Sequence, residues 1–498
     1  MGAFDVIVLG GGTAGVQVAT EMARGGRSVA LIEAGLIGGE SPYLACLPAN
    51  SLLLSASRGE AWEDAAARRD EVTGGLDDSG LAQRLTSAGV IVIRGTGRIT
   101  GPATVAVTGS DDPLTYSDLV IATGCEPVAP PIEGLADVPA WTTAEGRCTP
   151  DLPRRLIVLG GGSAGCELTQ VFAAFGSQVT LIEAEPGLLP SEPAFAGEIL
   201  VTALRRAGAE IRLGSAATKT ERTSEGLTLA LADGTRIDAD RLLLATGRRP
   251  RISGLGLDAL GIAATPGQAL PINASCQVTG VNGPGRVWAA GDVTGITHTH
   301  VSRYQAEVVA ANILGRPREA DYRAIPRCVF TTPSVYAVGE PGRPGLDTVR
   351  VSLSDTARGR LGLDDLGVLE LYAADGMLAG AVAVGPDAAA WMSEVTLAIR
   401  ARVPVSTLAD VVHAFPTYGE GLQAAFRELA KTEQKEMRIG PLSELSMETP
   451  EDDAIEQQTE LVPEEAMAGA RASGGLEVNE ADAAEQERAV GFDDDDYR

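Results

Sequence analysis

The segment at residues 38–50, GGESPYLACLPAN, holds a single cysteine in a position suited to redox chemistry. Cys46 is followed by a helix-favouring stretch, and the positive field at the start of a helix stabilises a thiolate. Such a thiolate can be oxidised to a sulfenic acid. Ser41, five residues earlier, has no base beside it in the sequence, so we expect a packed hydroxyl there and not a nucleophile. The alternative for Cys46, a buried thiol that only fills space, remains open.

Two further units with chemical potential are glycine-rich turns, each placed between a short apolar β-branched run and a helix-favouring segment. In a G-x-G-x-x-G turn the glycines permit a tight turn, a close approach to a pyrophosphate, and close packing of helix on strand. A glutamate stands 23 residues after the first glycine of each turn, where a carboxylate can bind the hydroxyls of a ribose. Two copies with the same spacing predict two dinucleotide sites. The first consists of Gly10, Gly12, Gly15 and Glu33, and the second of Gly160, Gly162, Gly165 and Glu183.

Three later segments support this interpretation. The segments DLVIATGCEP (118–127) and RLLLATGRRP (241–250) are apolar strands that end in Thr-Gly turns, and VWAAGDVTG (287–295) is a strand that ends in an acid. Two dinucleotides in one chain are most economically a flavin that stays bound and a nicotinamide that visits. The residues therefore predict a flavoprotein reductase.

The order of these segments resembles that of the pyridine nucleotide-disulfide oxidoreductases, the family of lipoamide dehydrogenase, glutathione reductase and mercuric reductase, over about residues 3–440. The resemblance implies an α/β fold with two Rossmann-like dinucleotide-binding domains, one for FAD and one for NAD. It also implies an α+β C-terminal dimerisation domain that makes a homodimer, followed by an acidic tail that we expect to be disordered. The expected ranges are 1–150 and 276–322 for the FAD-binding domain, 151–275 for the NAD(P)H-binding domain, 323–440 for the dimerisation domain and 441–498 for the tail.

The resemblance further implies roles for individual residues. Asp292 would bind the ribityl or pyrophosphate part of FAD, while Cys46 and Glu167 would be the catalytic residues beside the flavin. Because Glu183 stands where the 2′-phosphate of NADPH would lie, we expect NADH in preference to NADPH. No metal site is expected. The FAD site would consist of Gly10, Gly12, Gly15, Glu33, Gly39, Thr123, Gly124 and Asp292, and the NAD site of Gly160, Gly162, Gly165, Glu183 and Gly247.

The sequence departs from the family pattern at the residues of dithiol chemistry. The pattern G-G-x-C-x-x-x-x-C-x-P-x-K falls on GGESPYLACLPAN, so that Ser41 replaces the outer cysteine and Asn50 the lysine, while Cys46 is retained. In relatives that lysine can pair with a glutamate near flavin N5, which is retained here as Glu167. In the C-terminal segment HAFPTYGE, Phe415 replaces the histidine that serves the thiols as acid and base. Because both the exchanging thiol and its base are missing, we predict that the protein does not reduce disulfides.

The three histidines are weak candidates for catalysis. We expect His300 to form a structural hydrogen bond with the backbone, and His298 to be no more active. His413 stands two residues from the lost base and is expected at the dimer interface. Glu420, without its histidine, is expected to cap or pair locally.

The charge of the chain argues against some classes of partner. The net charge of the 498 residues is −27; residues 441–498, with 18 Asp/Glu and 3 Lys/Arg, contribute −15 and leave −12 for residues 1–440. Such a chain is repelled by nucleic acid and by anionic membranes. No apolar run is long enough to span a bilayer, so we expect a cytoplasmic protein. The tail is expected to be either a solubilising segment or a docking motif for a partner at AVGFDDDDYR (489–498).

Three functions remain open at this point. The first is an FAD-dependent NADH oxidoreductase that passes electrons from the flavin directly to a small acceptor, a quinone or quinone-like aromatic, near Ser41, Phe415 and Tyr418. The second keeps Cys46 redox-active, as in a single-cysteine peroxidase, oxidase or coenzyme A-disulfide reductase. The third is a flavin-binding scaffold or redox sensor without efficient catalysis. Turnover with artificial acceptors separates the third function from the first two.

Overall fold

The computed structural model describes residues 2–263, 265–362 and 367–443, with side chains as far as residue 432. Residues up to Gln434 belong to one compact unit, which contains all the site residues predicted from the sequence. The predicted tail from residue 444 onward, including its docking motif, lies outside the described residues.

The N-terminal part of the chain forms the strand-turn-helix unit predicted at its first glycine turn. The first two strands pair in parallel, and residues 6–9 and 29–32 within them are buried. One face of these strands packs on the helices at 13–24 and 299–313, and the other face packs on Ile99, Val105 and Leu257. The elements of this part are β1 (Ala3–Leu9), α1 (Thr13–Arg24), β2 (Val29–Glu33), α2 (Glu40–Tyr43), α3 (Cys46–Ser57), α4 (Trp62–Val72), α5 (Ser79–Ser87), β3 (Val90–Arg94), β4 (Gly97–Gly101), β5 (Thr104–Val107), β6 (Leu114–Ile121) and β7 (Cys125–Pro127).

The middle of the chain repeats the same unit in a second parallel sheet and adds a three-stranded antiparallel sheet. Its elements are β8 (Ala140–Thr142), α6 (Thr143–Cys148), β9 (Arg155–Leu159), α7 (Ser163–Ala174), β10 (Gln178–Ile182), α8 (Ala194–Arg206), β11 (Glu210–Arg212), β12 (Ala217–Thr223), β13 (Gly226–Leu231), β14 (Arg236–Ala239), β15 (Arg241–Leu244) and β16 (Arg248–Pro250). The parallel sheet has the order β11-β10-β9-β15-β8, and β12-β13-β14 form the antiparallel one.

The chain then returns to the first sheet. β17 (Arg286–Ala289) pairs in parallel with β6, and α9 (Thr299–Ile313) packs against α1. The parallel strands of the first sheet thus have the order β3-β2-β1-β6-β17, and β5 and β4 extend the sheet from β6. The first glycine turn follows the carboxyl end of β1, and the second follows the carboxyl end of β9. Open α/β sheets bind ligands at the carboxyl ends of their strands.

The C-terminal part is an antiparallel sheet backed by helices. Its strands have the order β18-β19-β22-β21-β20, and its core includes Leu353, Met392 and Phe426. The elements are β18 (Arg327–Val329), β19 (Ser334–Gly339), β20 (Asp347–Ser352), α10 (Ala357–Gly362), β21 (Val368–Ala374), β22 (Met377–Gly385), α11 (Ala388–Trp391), α12 (Ser393–Ala401), α13 (Val405–Asp410) and α14 (Gly419–Ser443). The α/β fold predicted from the sequence is confirmed.

Two segments lie in a different layer from the one that the predicted domain ranges imply. β8 falls within 1–150 but pairs with β15 of the second sheet. Ile252 and Leu257 fall within 151–275 but pack in the core that contains Ile7 of β1. The reason is the two-stranded ribbon of β7 and β16, where the chain crosses between the two sheets in both directions. Local sequence patterns mark these strands but not which sheet each one joins.

Candidate functional site

The first glycine turn, between β1 and α1, has no room for larger residues. Gly10 has a φ of +102°, and a Cβ atom there would lie 2.3 Å from the carbonyl oxygen of Ala122. A Cβ atom on Gly15 would lie 1.8 Å from the carbonyl oxygen of Gly10. Close packing of α1 on the sheet therefore requires glycine at both positions.

The segment with the lone cysteine, residues 38–50 and called the redox segment below, lies against this turn. Gly39 has a φ of +70°, and a Cβ atom there would lie 2.7 Å from the Cα atom of Gly12. Gly38 and Gly12 also form a parallel bridge. The backbone of the redox segment is thus fixed next to the first glycine turn, as the resemblance implied.

The two glutamates that follow the glycine turns each accept hydrogen bonds from two backbone N–H groups. The carboxylate of Glu33 accepts hydrogen bonds from the backbone N–H groups of Gly11, at 2.5 Å, and Gly35, at 2.6 Å. The carboxylate of Glu183 accepts from Gly161, at 2.5 Å, and from Glu185, at 2.8 Å. Each carboxylate oxygen has one backbone donor, which leaves further lone pairs for ribose hydroxyls.

The second turn repeats the geometry of the first. Gly160 has a φ of +108°, and a Cβ atom there would lie 2.4 Å from the carbonyl oxygen of Ala245. A Cβ atom on Gly165 would lie 1.9 Å from the carbonyl oxygen of Gly160. Around Gly162, in contrast, no atom lies within 4 Å of such a Cβ atom, so this backbone is open to a ligand.

The residues fit two dinucleotides. α1 and α7 begin after Gly12 and Gly162, and no side chain caps the first N–H groups of either helix. Free N–H groups and the helix dipole favour a phosphate at each of these ends. Gly124 and Gly247, in the two Thr-Gly turns, also have open space where a Cβ atom would be.

The two Thr-Gly turns are tied to each other across the ribbon. The hydroxyl of Thr123 donates to the carbonyl oxygen of Arg251 at 2.7 Å, and the hydroxyl of Thr246 donates to that of Val128 at 2.8 Å. These reciprocal bonds fix the first dinucleotide-binding sheet against the second. The hydroxyl of Thr123 therefore holds this turn in place, next to the open space at Gly124.

Asp292 lies at the end of β17 in a mostly buried, charged environment. Burial raises the pKa of this carboxyl group above its ordinary value, and the nearby Arg248 and Arg251 lower it in part. Arg248 forms an ion pair of 2.6 Å with Glu40 and donates a hydrogen bond of 2.9 Å to the carbonyl oxygen of Cys125. This network connects the redox segment, the ribbon and Asp292.

The remaining thiol of the redox segment faces hydroxyl groups. The Sγ atom of Cys46 lies 3.4 Å from the Oγ1 atom of Thr299, which donates a hydrogen bond of 3.2 Å to the hydroxyl of Ser41. All six cysteines lie in the described residues and are free. Cys46 is exposed, whereas burial raises the pKa of Cys125 to about 12 and that of Cys328 to about 11. Thr299, at the first position of α9, was not singled out in the sequence.

Glu167, in the first turns of α7, is buried and is not a solvated helix residue. Its carboxylate accepts a hydrogen bond of 3.0 Å from the backbone N–H of Phe330. Burial raises the pKa of Glu167, and this hydrogen bond and the charge of Arg147 oppose the change. Arg147 is itself buried near the end of α6 and was missed in the sequence, where it stands in no recognisable motif.

The C-terminal segment presents one aromatic side chain and buries the other. Phe415 is 76% exposed. Tyr418, expected near the acceptor, is buried and packs on Trp391 with ring centroids 6.0 Å apart. The segment turns into α14, and Tyr418 then packs in the core of the C-terminal part. Glu420 accepts hydrogen bonds from the backbone N–H groups of Thr417 and Ala357, as expected for a local cap.

The histidines have structural partners. The Nε2 atom of His300 lies 2.8 Å from the carbonyl oxygen of Pro326, which confirms the predicted backbone hydrogen bond. Burial, with smaller effects of His300 and Arg327, lowers the pKa of His298 to about 4, so this ring is neutral at physiological pH. His413 pairs with Glu394 at 3.0 Å. Within the described residues no group of three or more His, Cys, Asp or Glu side chains could hold a metal ion.

The chain contains two similar dinucleotide-binding units, which are joined by the ribbon of β7 and β16. Together with the thiol of Cys46 and the buried carboxyl group of Glu167, they are typical of an oxidoreductase that binds two dinucleotides. The family description "Pyridine nucleotide-disulphide oxidoreductase" matches residues 4–306, and that of its dimerisation domain matches residues 325–426. The chain belongs to this family, whose members use FAD and NAD(P)H.

Individual relatives agree with the family assignment. A dihydrolipoyl dehydrogenase of Thermus scotoductus is 32% identical over 473 residues, covering 86% of this chain and 98% of the relative. A mercuric reductase of Acidithiobacillus ferrooxidans is 31% identical over 458 residues, covering 84% and 81%. The Cu(II) complex of RclA, an HOCl-induced flavoprotein disulfide reductase from Escherichia coli, is similar in structure with a TM-score of 0.79 and 27% identity, covering 86% of this chain and 99% of RclA. No helix among the described residues has both the length and the apolar character to cross a bilayer.

Proposed function

We propose that this protein is an FAD-dependent NADH oxidoreductase that passes electrons directly to a small aromatic acceptor, a quinone or a quinone-like compound, and that it is not a disulfide reductase. The observation that carries the proposal is the contact of Cys46 with Thr299 at 3.4 Å. The neighbours of this thiol at the redox segment are hydroxyl groups, so no second sulfur is placed to form a disulfide with it.

The chain's own residues bind and position the two dinucleotides. When bound, FAD accepts a hydride from the nicotinamide and supplies electrons to an acceptor. The glycine turns and the N-termini of α1 and α7 bind the pyrophosphates, while the carboxylates of Glu33 and Glu183 accept hydrogen bonds from the ribose hydroxyls. Catalysis of this kind depends on orientation and on the exclusion of water more than on proton transfer by the protein. The loss of a histidine at position 415 is therefore compatible with activity.

The proposed acceptor site lies at Ser41 and Thr299. Their hydroxyls are suited to hydrogen-bond the oxygen atoms of a quinone, a role that thiols perform poorly. Phe415 and Val412, 76% and 91% exposed in the dimerisation domain, supply apolar surface that a partner subunit would cover. In the proposed homodimer an aromatic ring at position 415 offers stacking to a flat acceptor, whereas a histidine there would serve disulfide exchange.

The exposure of Cys46 favours a second candidate. A single exposed thiol beside a flavin can cycle through a sulfenic acid, as in a single-cysteine peroxidase or oxidase, or through a mixed disulfide with coenzyme A. In this alternative Thr299 would hydrogen-bond the oxidised sulfur. The two candidates differ in whether turnover needs the sulfur atom.

A steady-state screen of the FAD-loaded protein with NADH tests both candidates. The acceptors are a series of quinones, hydrogen peroxide, oxygen, coenzyme A disulfide and lipoamide, each with the wild type and Cys46→Ser. Quinone turnover that survives the substitution supports the proposal. Turnover of peroxide or of coenzyme A disulfide that requires Cys46 supports the second candidate. FAD binding without efficient NADH oxidation by any acceptor would contradict both and indicate a scaffold. A cytoplasmic location and a docking partner for the acidic tail remain predictions.

A further inference from the structure

The loop between β10 and α8, residues 183–193 and called the β10–α8 loop, holds a strained residue beside the second glycine turn. Leu189 has a φ of +51°, a conformation that residues with a Cβ atom seldom adopt, and it is 4% exposed. Its backbone N–H donates a hydrogen bond of 3.0 Å to the carbonyl oxygen of Gly161. A strained conformation persists only where the surrounding contacts determine it, and such residues cluster at functional sites. The contacts that fix Leu189 therefore help to fix the glycine turn.

The β10–α8 loop contacts Gly161 at two further points. The N–H of Gly161 donates to the carboxylate of Glu183 at 2.5 Å, and the same carboxylate accepts from the backbone N–H of Glu185 at 2.8 Å. A Cβ atom on Gly161 would lie 2.5 Å from the Cδ2 atom of Leu188, so the loop also covers this residue. Because Glu185 lies within the loop, the position of the loop determines how the Glu183 carboxylate faces a ribose.

The far end of the loop is held by the dimerisation domain. The backbone N–H of Glu192 donates to the carbonyl oxygen of Leu189 at 2.9 Å. The carboxylate of Glu192, whose side chain is 7% exposed, forms a two-point ion pair with Arg327 on β18, with Nε–Oε1 and Nη2–Oε2 distances of 2.6 and 2.9 Å. Arg327 also donates to the carbonyl oxygen of Gly339 on β19, at 3.3 Å. A guanidinium group that binds a carboxylate at two points fixes its orientation as well as its distance.

The residues that follow Arg327 bind the helix that begins at the same glycine turn. The N–H of Phe330 donates to the carboxylate of Glu167 on α7 at 3.0 Å. The side chain of Gln170, also on α7, exchanges hydrogen bonds of 2.9 and 2.7 Å with the backbone of Thr332. One stretch of the dimerisation domain, residues 327–332, therefore contacts both the loop and the helix that border the second glycine turn. The contact at Arg327 is the one that reaches the strained loop.

We propose that Arg327 is a positioning residue of the NAD site. Through Glu192 it holds the β10–α8 loop in the conformation that directs the carboxylate of Glu183 toward the adenosine ribose. The proposal rests on the proposed function in taking the second glycine turn as the site of the nicotinamide dinucleotide, and it is independent of the electron acceptor. It predicts that breaking the ion pair weakens dinucleotide binding in a protein that remains folded.

The test measures binding of ADP-ribose to the FAD-loaded protein by isothermal titration calorimetry. ADP-ribose has the pyrophosphate and the adenosine of NAD without the nicotinamide. Arg327→Met keeps an unbranched side chain without the charge and should raise the Kd about fivefold to tenfold. Arg327→Lys keeps the charge without the planar fork, so its Kd should lie between those of the wild type and Arg327→Met.

Two further readouts separate positioning from a general defect. The Kd for ADP-ribose 2′-phosphate divided by that for ADP-ribose should fall in Arg327→Met, because the Glu183 carboxylate is then free to turn away from the phosphate. The anaerobic rate at which saturating NADH reduces the flavin should stay within about twofold of that of the wild type, because a binding contact and not the reaction has been removed.

A second variant and a control complete the design. Glu192→Gln keeps the shape of the side chain and should raise the Kd about threefold. The double variant with Arg327→Met should bind no more weakly than Arg327→Met alone, because the two residues act through one contact. Arg400→Met is the control, since Arg400 of the same domain forms an ion pair of 2.9 Å with Asp321, outside the β10–α8 loop. Its Kd should equal that of the wild type, and urea denaturation verifies that each variant is folded.

Two results would overturn the proposal. The first is an unchanged Kd in Arg327→Met and Glu192→Gln with only a lower free energy of unfolding, which would indicate a structural ion pair. The second is an equal loss of affinity in Arg400→Met, which would indicate general loosening. If Arg327→Met does not retain FAD, an unchanged Kd in Glu192→Gln alone refutes the proposal. A wild type that does not bind ADP-ribose would overturn it together with the assignment of the second turn, whereas failure of the quinone screen would leave it standing.

Discussion

The hydroxyl of Thr299, at the start of α9, donates a hydrogen bond of 3.2 Å to the hydroxyl of Ser41 on α2. The two residues are 258 positions apart in the sequence, and the same Thr299 oxygen lies 3.4 Å from the Sγ atom of Cys46. Ser41, which stands where a thiol partner for Cys46 would be expected, thus belongs to a pair of hydrogen-bonded hydroxyl groups. This pair joins two segments of the first dinucleotide-binding domain. A site built in this way stores electrons differently from a dithiol site.

The first prediction concerns the number of electrons that the protein takes up. A flavin with a redox disulfide stores four electrons per subunit, whereas a flavin with one thiol stores two. In an anaerobic titration, about one two-electron equivalent of dithionite per FAD should bleach the flavin. Cys46→Ser should give the same end point. If the wild type consumes a second equivalent and Cys46→Ser does not, Cys46 is held in an oxidised form and the single-cysteine candidate is favoured.

The second prediction concerns disulfide substrates. Lipoamide and glutathione disulfide should show negligible turnover with NADH, since Ser41 cannot form a mixed disulfide and Phe415 cannot transfer a proton. The loss of general acid and base catalysis alone lowers a rate by about 10²–10⁴-fold. Ser41→Cys should re-form a bridge with Cys46, visible as a second reducing equivalent in the titration, without restoring full turnover while Phe415 remains. Rapid turnover by the wild type would show that another thiol has been recruited.

The third prediction concerns the choice of nicotinamide. Glu183 is fixed by backbone N–H groups at both of its oxygen atoms, so it cannot easily turn away from a 2′-phosphate. A like-charge contact near 4 Å costs up to about 4 kcal/mol at an effective dielectric constant of 20. kcat/KM should therefore be higher for NADH than for NADPH, and Glu183→Ala should narrow the ratio.

Glu185→Ala is a matched control for this third prediction. Glu185 is an exposed acid two residues from Glu183, and it contributes its backbone N–H and not its side chain to the Glu183 carboxylate. The substitution removes a nearby charge and keeps the backbone contact, so the preference for NADH should survive. A kcat/KM for NADPH equal to that for NADH in the wild type would refute the assignment of Glu183.

The fold and the glycine turns were predictable because each depends on residues close together in the sequence. The strand, turn and helix around Gly10 follow one another directly, and the same is true around Gly160. Thr299 and Arg147 could not be found in this way. Thr299 reaches Ser41 and Cys46 only after the chain has left and re-entered the first sheet. Arg147 is buried because α6 packs on α3 and α7, which are distant in the sequence, and it stands in no recognisable motif.

The aromatic residues of the C-terminal segment show a second limit of sequence analysis. Phe415 and Tyr418 are three positions apart, and the sequence gives no reason to expect a different exposure for the two side chains. The exposed fraction is 76% for Phe415 and 9% for Tyr418. The difference arises because α14 begins at Gly419 and directs Tyr418 toward Trp391. Side-chain direction at the entry to a helix depends on tertiary packing, which a short motif does not specify.

The last prediction uses the buried carboxyl group of Glu167. Burial raises the pKa of Glu167 above its ordinary value of 4.5. An acid whose pKa is higher in the folded than in the unfolded chain stabilises the fold fully below the unfolded pKa, and this contribution is lost as the pH rises through the folded pKa. Glu167→Gln keeps an oxygen to accept the N–H of Phe330 and removes the titration. As the pH rises above about 4.5, the free energy of unfolding of Glu167→Gln should therefore increase relative to that of the wild type. The increase should be about 1.4 kcal/mol for each pH unit between the unfolded and the folded pKa.

Urea denaturation of the FAD-loaded protein between pH 4 and pH 8, at one protein concentration, measures this difference. Gln170→Ala is the control, because Gln170 lies one turn further along α7 and bonds the same loop through Thr332 without titrating. It should lower the free energy of unfolding by about 1 kcal/mol at every pH. If the difference in free energy of unfolding between Glu167→Gln and the wild type is also constant across the pH range, Glu167 acts only as a packed polar group. Such a result would contradict a pKa raised by burial.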